Sequence, residues 1–174
     1  MTDTVRTVHV AGVGMVPFGK PGAGDSYPVM AERAARAALA DAGLPYEAVQ
    51  QAYAGYVYGD SAAGQAALHS LGLSGIPVVN VNNNCATGSS ALWLARQAVA
   101  SGAADCVLAL GFEQMRPGAL ASVWDDRPDP LGRFLDRMTH LQGPPPRGRQ
   151  SVRRVPHPHH GGGGCRLTAR LRAR

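Results

Sequence analysis

Cysteine is scarce in this 174-residue chain: Cys85, Cys106 and Cys165 are the whole complement. They show no paired spacing, which excludes a disulfide framework and fits a reducing, cytoplasmic setting. No apolar run approaches the roughly 20 residues that span a bilayer, so no membrane-crossing helix is expected. The start, Met1-Thr2-Asp3-Thr4-Val5-Arg6, lacks a basic segment followed by a long apolar one, and no secretory signal is read there. The end, Leu171-Arg172-Ala173-Arg174, is not a Ser-Lys-Leu peroxisomal address. Acidic residues are missing altogether from Gly143 to Arg174, a stretch with eight arginines and a charge of +8. Residues 1–142 hold nine basic and twelve acidic side chains, a charge of −3. The net charge of +5 therefore belongs to the tail, and a basic nucleic-acid surface is excluded for the body.

The tail is a different kind of text. Arg, Pro, Gly and His fill 22 of its 32 positions, with Pro144-Pro145-Pro146 and Gly161 to Gly164 as homopolymer runs. Such a segment cannot offset its own ordering entropy, so disorder is expected over 143–174. The residue set is the one that out-of-frame translation of GC-rich DNA yields, and Cys165 would be an exposed free thiol. His157, His159, His160 and Cys165 lack structured zinc spacing, which reduces them to adventitious chelation. The arginines offer salt-sensitive attraction to nucleic acid or anionic lipid, without aromatic residues for selective base stacking.

The body alternates strand and helix signals. Val8 to Val13, bounded by Gly12 and Gly14, reads as a buried strand. Val29 to Ala42 reads as a helix with Glu32 and Arg36 as an i,i+4 pair, stopped by Gly43 and Pro45. Ala52 to Tyr58, Ile76 to Val81 and Cys106 to Gly111 read as strands. Gln65 to Leu71 and Ser89 to Ser101 read as helices, and Leu131 to Leu141 as one more short one. Alternation of this kind predicts an α/β layered domain over 1–142 with a mixed, mostly parallel sheet. The helix over 89–101 is apolar nearly all round, interrupted by Arg96 and Gln97, so burial between two layers is expected of it. Gly12-Val13-Gly14-Met15-Val16-Pro17 is not a dinucleotide loop: Pro17 stands where a third glycine belongs, and the next helix starts too late.

Between the third strand and its helix lies Val79-Asn80-Val81-Asn82-Asn83-Asn84-Cys85-Ala86-Thr87-Gly88-Ser89-Ser90. This order places Cys85 at a strand-to-helix turn, beside the unpaired N–H groups of a helix start, where the thiolate is favoured. Cys85 is thus a candidate acyl-transfer nucleophile, with a plain buried cysteine as the alternative. Gly88 and its small neighbours allow close approach of a thioester, and the three asparagines can pin the turn by amide hydrogen bonds. Cys106 sits in an apolar strand and reads as inert core. His9, His69 and His140 read as structural or surface histidines rather than as the base that acyl transfer needs.

Ala52-Tyr53-Ala54-Gly55-Tyr56-Val57-Tyr58-Gly59-Asp60, the segment from Val81 to Leu92 and Ala103 to Met115 closely resemble thiolases of the sterol-carrier-protein (lipid-transfer) type. The resemblance runs from about Val8 to about Gln142. It implies the N-terminal half of an αβαβα five-layer arrangement, with the helix after Cys85 in the central layer. It further implies a homodimer, acyl-CoA and coenzyme A as substrates, no bound cofactor or metal, and Cys85 as the residue that takes the acyl group. The family's catalytic histidines, one in a Gly-His-Pro motif, and its second cysteine belong to the C-terminal half and have no counterpart here. Little or no thiolase turnover is therefore expected of this chain alone. A ketoacyl-synthase relative and a non-catalytic partner subunit are the rival readings.

Overall fold

The computed structural model describes residues 6–117, 126–128, 130, 134, 137, 140 and 141. The chain divides into two units, Met1–Pro117 and Gly118–Arg174. The tail expected beyond residue 142 lies outside the described residues, as does most of the helix expected over 131–141. In the second unit Arg127 donates through Nε at 2.8 Å and Nη2 at 3.0 Å to the two carboxylate oxygens of Asp126. This bonding holds the exposed Asp126 carboxyl below its ordinary range.

The first unit is built on three parallel strands, β1 (Gln51–Gly55), β2 (Val78–Val81) and β3 (Val107–Gly111), in the order β2-β1-β3. The helices are α1 (Tyr27–Ala42), α2 (Ala63–His69) and α3 (Thr87–Ala100), with a short 3₁₀ turn at Tyr46–Ala48. The α/β class is as the sequence predicts, and the strand pairs among the described residues are parallel.

Period-two alternation decides which helix meets which face of the sheet. Ala52, Leu108 and Leu110 join Ala31 and Ala35 of α1 and Ala67 and Leu68 of α2 in one apolar cluster. Gly55, on the opposite face of β1, meets Thr87 at the start of α3. Helix α3 buries Thr87, Ala91, Ala95 and Ala98, a single stripe. Its other side carries Leu92 and Trp93 at 56% and 58% exposure. The burial expected all round this helix is thus met on one side, because the first unit contributes one sheet face and no further layer against it.

Element ends follow the local chemistry. Pro28 stands in the first turn of α1 without an N–H to satisfy, and Gly43 closes the helix at φ 66°, its successor Leu44 donating to the Leu39 carbonyl at 3.0 Å. The Glu32–Arg36 pair forms at 2.8 Å. Strand β2 starts at Val78 rather than Ile76, since Pro77 has no N–H, although its carbonyl still accepts from Ala52 N at 3.0 Å. Strand β1 ends at Gly55 rather than Tyr58, because the N–H groups of Val57 and Tyr58 leave the ladder and donate to the Glu113 carboxylate, both at 2.9 Å.

One expected strand does not form. Residues 8–13 carry no regular secondary structure and lie outside the sheet, with Val10 and Val13 exposed at 63% and 68%. Gly12 and Gly14 lie directly against the backbone of α1: a methyl at Gly12 would come 2.5 Å from Ala42 N, and one at Gly14 would come 2.9 Å from the Ala37 methyl. Val13 N donates to the Asp41 carboxylate at 2.9 Å instead of to a neighbouring strand. The two glycines therefore serve close helix packing and hold no phosphate. No helix among the described residues is long and apolar enough to cross a membrane.

Candidate functional site at the start of α3

Strand β2 delivers the chain to the carboxyl end of the sheet, where open parallel sheets place their sites. Residues 82–86 then turn into α3. Asn83 N donates to Thr87 Oγ1 at 2.7 Å and Asn83 Nδ2 donates to Ser90 Oγ at 2.8 Å, tying the turn to the first turn of the helix. Asn84 N donates to Asn82 Oδ1 at 3.2 Å. Ala86 N and Thr87 N donate to the carbonyls of Asn83 and Asn84 at 3.1 and 3.0 Å. The three asparagines do pin the turn, each with a different bond.

Cys85 sits on this turn with its side chain exposed, and its Sγ donates to Asn84 Oδ1 at 3.6 Å. It is not the buried cysteine of the alternative reading. Helix α3 has no side-chain cap, and among the described residues the N–H groups of Gly88 and Ser89 have no hydrogen-bond partner. A methyl placed on Gly88 would meet nothing within 4 Å, so the approach to the helix start is open. Within five residues of chain stand an exposed thiol, two backbone donors without a partner and an open approach, residues from which an acyl-accepting nucleophile and oxyanion donors can be built.

Two strand ends fix the position of the helix start. A Cβ on Gly55 would fall 2.7 Å from Thr87 Cγ2 and 2.9 Å from its carbonyl oxygen, and one on Gly111 would fall 3.8 Å from Gly88 Cα. Gly55→Ala is expected to cost about 1–3 kcal/mol of stability by overpacking. It should also disturb the Cys85 turn, because Thr87 would have to move and Thr87 Oγ1 holds Asn83 N. Chemical denaturation checks the first effect; a midpoint equal to the wild type would contradict this packing.

The loop after β1 is anchored by Glu113 and by the stacking of Phe112 between Tyr27 and Tyr56, with ring centroids 5.0 and 5.1 Å apart. With the end of β2, this loop lines a cavity of about 200 Å³ that includes Tyr56, Asp60, Ser61, Asn80 and Asn82. Glu113 and Thr87 stand in the segments that carry the family resemblance, but nothing in their spacing announces which N–H groups they serve.

The described histidines, His9, His69 and His140, stand on other segments of the chain than the Cys85 turn. His9 is exposed in the irregular segment before α1. His69 ends α2 and lines a separate cavity of about 310 Å³ with Tyr46, Leu68 and Leu73. His140 is exposed in the second unit. Cys106 is half-buried against the main apolar cluster. Among the described residues no three His, Cys, Asp or Glu gather where a metal ion could be held.

Residues 8–123 match the family model for thiolase, N-terminal domain. The chain belongs to the thiolase family. Among thiolase-related proteins, sterol carrier protein 2 of Gallus gallus is 57% identical over 140 residues, covering 79% of this chain and 26% of that protein. Non-specific lipid-transfer protein-like 2 of Caenorhabditis elegans is 45% identical over 148 residues, 82% of this chain and 36% of its own length. Benzoylsuccinyl-CoA thiolase subunit BbsB of Thauera aromatica is 36% identical over 110 residues, 62% of this chain and 28% of its own. This thiolase chain therefore spans about a quarter to a third of the length of the curated relatives it matches.

Proposed function

We propose that this chain carries the acyl-accepting half of a thiolase-type acyl-CoA acyltransferase in lipid metabolism, with Cys85 as the nucleophile. The observation that carries this reading is the exposed Sγ of Cys85 at the uncapped start of α3, next to the free N–H groups of Gly88 and Ser89. The Cys85 thiolate attacks the thioester carbonyl carbon of an acyl-CoA and forms a new C–S bond. The oxyanion of the tetrahedral intermediate accepts from Gly88 N and Ser89 N. Collapse breaks the bond to the coenzyme A sulfur, and the departing thiolate takes up a proton from solvent equal to the one Cys85 released. The acyl group remains on Cys85.

Thiolysis of a 3-oxoacyl-CoA, or the reverse Claisen condensation, also needs an acid–base group for the carbanion. Neither His9 nor His69 takes part in the hydrogen bonds of the Cys85 turn. The 174-residue chain by itself is therefore expected to release coenzyme A in a single burst, at most one per chain, without further turnover. Following free coenzyme A itself against time, by chromatography, tests this, because transfer to Cys85 consumes one thiol for each one released. Steady turnover on the order of 1–1000 per second would overturn the half-reaction, and no release at all would overturn the nucleophile.

A second reading, a non-catalytic partner subunit, is favoured by one observation: the apolar side of α3 that leaves Leu92 and Trp93 exposed. Co-purification with a full-length homologue whose activity is unchanged by Cys85→Ala would select that reading.

A further inference from the structure

Asn84, the residue before the thiol, is held in an unusual backbone conformation at φ 49°. This is the left-handed region, which asparagine tolerates better than most non-glycine residues. The conformation is braced on both sides, with Asn84 N donating to Asn82 Oδ1 at 3.2 Å and Asn84 O accepting from Thr87 N at 3.0 Å. The braced backbone aims the amide at Cys85, whose Sγ donates to Asn84 Oδ1 at 3.6 Å. Among the described residues no charged side chain takes part in the hydrogen bonds of the turn. The amide of Asn84 is the polar group that the turn itself brings to the sulfur.

We propose that Asn84 is a positioning residue for Cys85, an inference that rests on the reading of Cys85 as nucleophile. Its carbonyl oxygen fixes the direction of Sγ while the thiol keeps its proton. When that proton leaves to solvent, a half-turn of the amide about Cβ–Cγ presents Nδ2–H to the thiolate. An amide serves both states because it carries an acceptor and a donor on one carbon.

The test is alkylation of the full chain by iodoacetamide over a range of pH, read at Cys85 by peptide mass spectrometry. Asn84→Gly keeps the left-handed backbone and deletes the amide. Asn84→Asp keeps the size, the backbone tolerance and the acceptor, and replaces the donor with negative charge. The glycine variant is expected to react about threefold more slowly near neutral pH, the loss of one hydrogen bond. The aspartate variant is expected to react about tenfold more slowly, with its half-maximal rate moved to higher pH by like-charge repulsion. A role confined to turn shape would leave the aspartate variant at the wild-type rate and pH profile. Either variant reacting within about 1.5-fold of the wild type overturns the proposal. Alkylation of half-buried Cys106 reports folding; should it accelerate in one variant, the other decides. Iodoacetamide needs no acyl-CoA, so failure of acyl transfer would remove the nucleophile reading while this comparison still reads the Asn84 contact.

Discussion

Cys85→Ala is expected to abolish the burst of coenzyme A release, lowering acyl transfer by at least about a thousandfold, as loss of a covalent nucleophile does. The size of the effect follows from the geometry. In the proposed half-reaction the oxyanion that would accept from Gly88 N and Ser89 N forms only after a nucleophile has attacked, so without the sulfur these donors have nothing to act on. The variant should fold as the wild type does, within about 0.5 kcal/mol, because the Cys85 side chain is exposed and its hydrogen-bond partner is one neighbouring amide. Activity and stability therefore separate at this position. Cys106→Ala and Cys165→Ala are the controls, and each should keep the burst. A burst that survives Cys85→Ala and disappears with either control would move the nucleophile elsewhere.

The largest loss of stability is expected at Leu68→Ala. Leu68 is 1% exposed and is the largest fully buried side chain among the described residues, packed from α2 among Ala31, Ala35, Tyr46, Val49, Ala52, Leu108 and Leu110. Small residues make up much of that cluster, so few neighbours have the length to collapse into the space. Removing the isobutyl group is expected to cost about 2–5 kcal/mol, a large fraction of the roughly 5–15 kcal/mol that holds a domain together. A denaturant titration should show a lower midpoint with an unchanged slope. A loss below about 1 kcal/mol would mean that α2 does not sit on the sheet as described. Leu92→Ala, on the uncovered side of α3, is the contrast and should change stability by less than about 0.5 kcal/mol.

Much of this architecture is legible in the sequence where local rules act alone. Helix α1 ends where Gly43 can turn left-handed, and Glu32 meets Arg36 because they stand four apart. The place of Cys85 is legible for the same reason: a β-branched run, three asparagines and a series of small residues dictate a strand, a turn and a helix start. What the sequence hides are decisions made by distant partners. Nothing near Tyr58 says that β1 stops at Gly55; Glu113, 55 residues from Tyr58 along the chain, takes the N–H groups that would have continued the ladder. Val8 to Val13 has the composition of a strand but no strand beside it, and Gly12 and Gly14 commit it to α1 instead. The apolar circumference of α3 foretells a covering layer, while the residues of the first unit cover one side. At the site, Cys85 and Gly88 are readable from their types and order. The left-handed Asn84 and the Gly55–Thr87 contact emerge only when the strand ends and the helix start are brought together.

The central claim, that Cys85 accepts an acyl group from acyl-CoA, is tested most directly by peptide-resolved mass spectrometry of the chain after incubation with an acyl-CoA. The account predicts one acyl adduct on the peptide that contains Cys85, absent from Cys85→Ala. An adduct found only on Cys106 or Cys165, or no adduct at all, would contradict it.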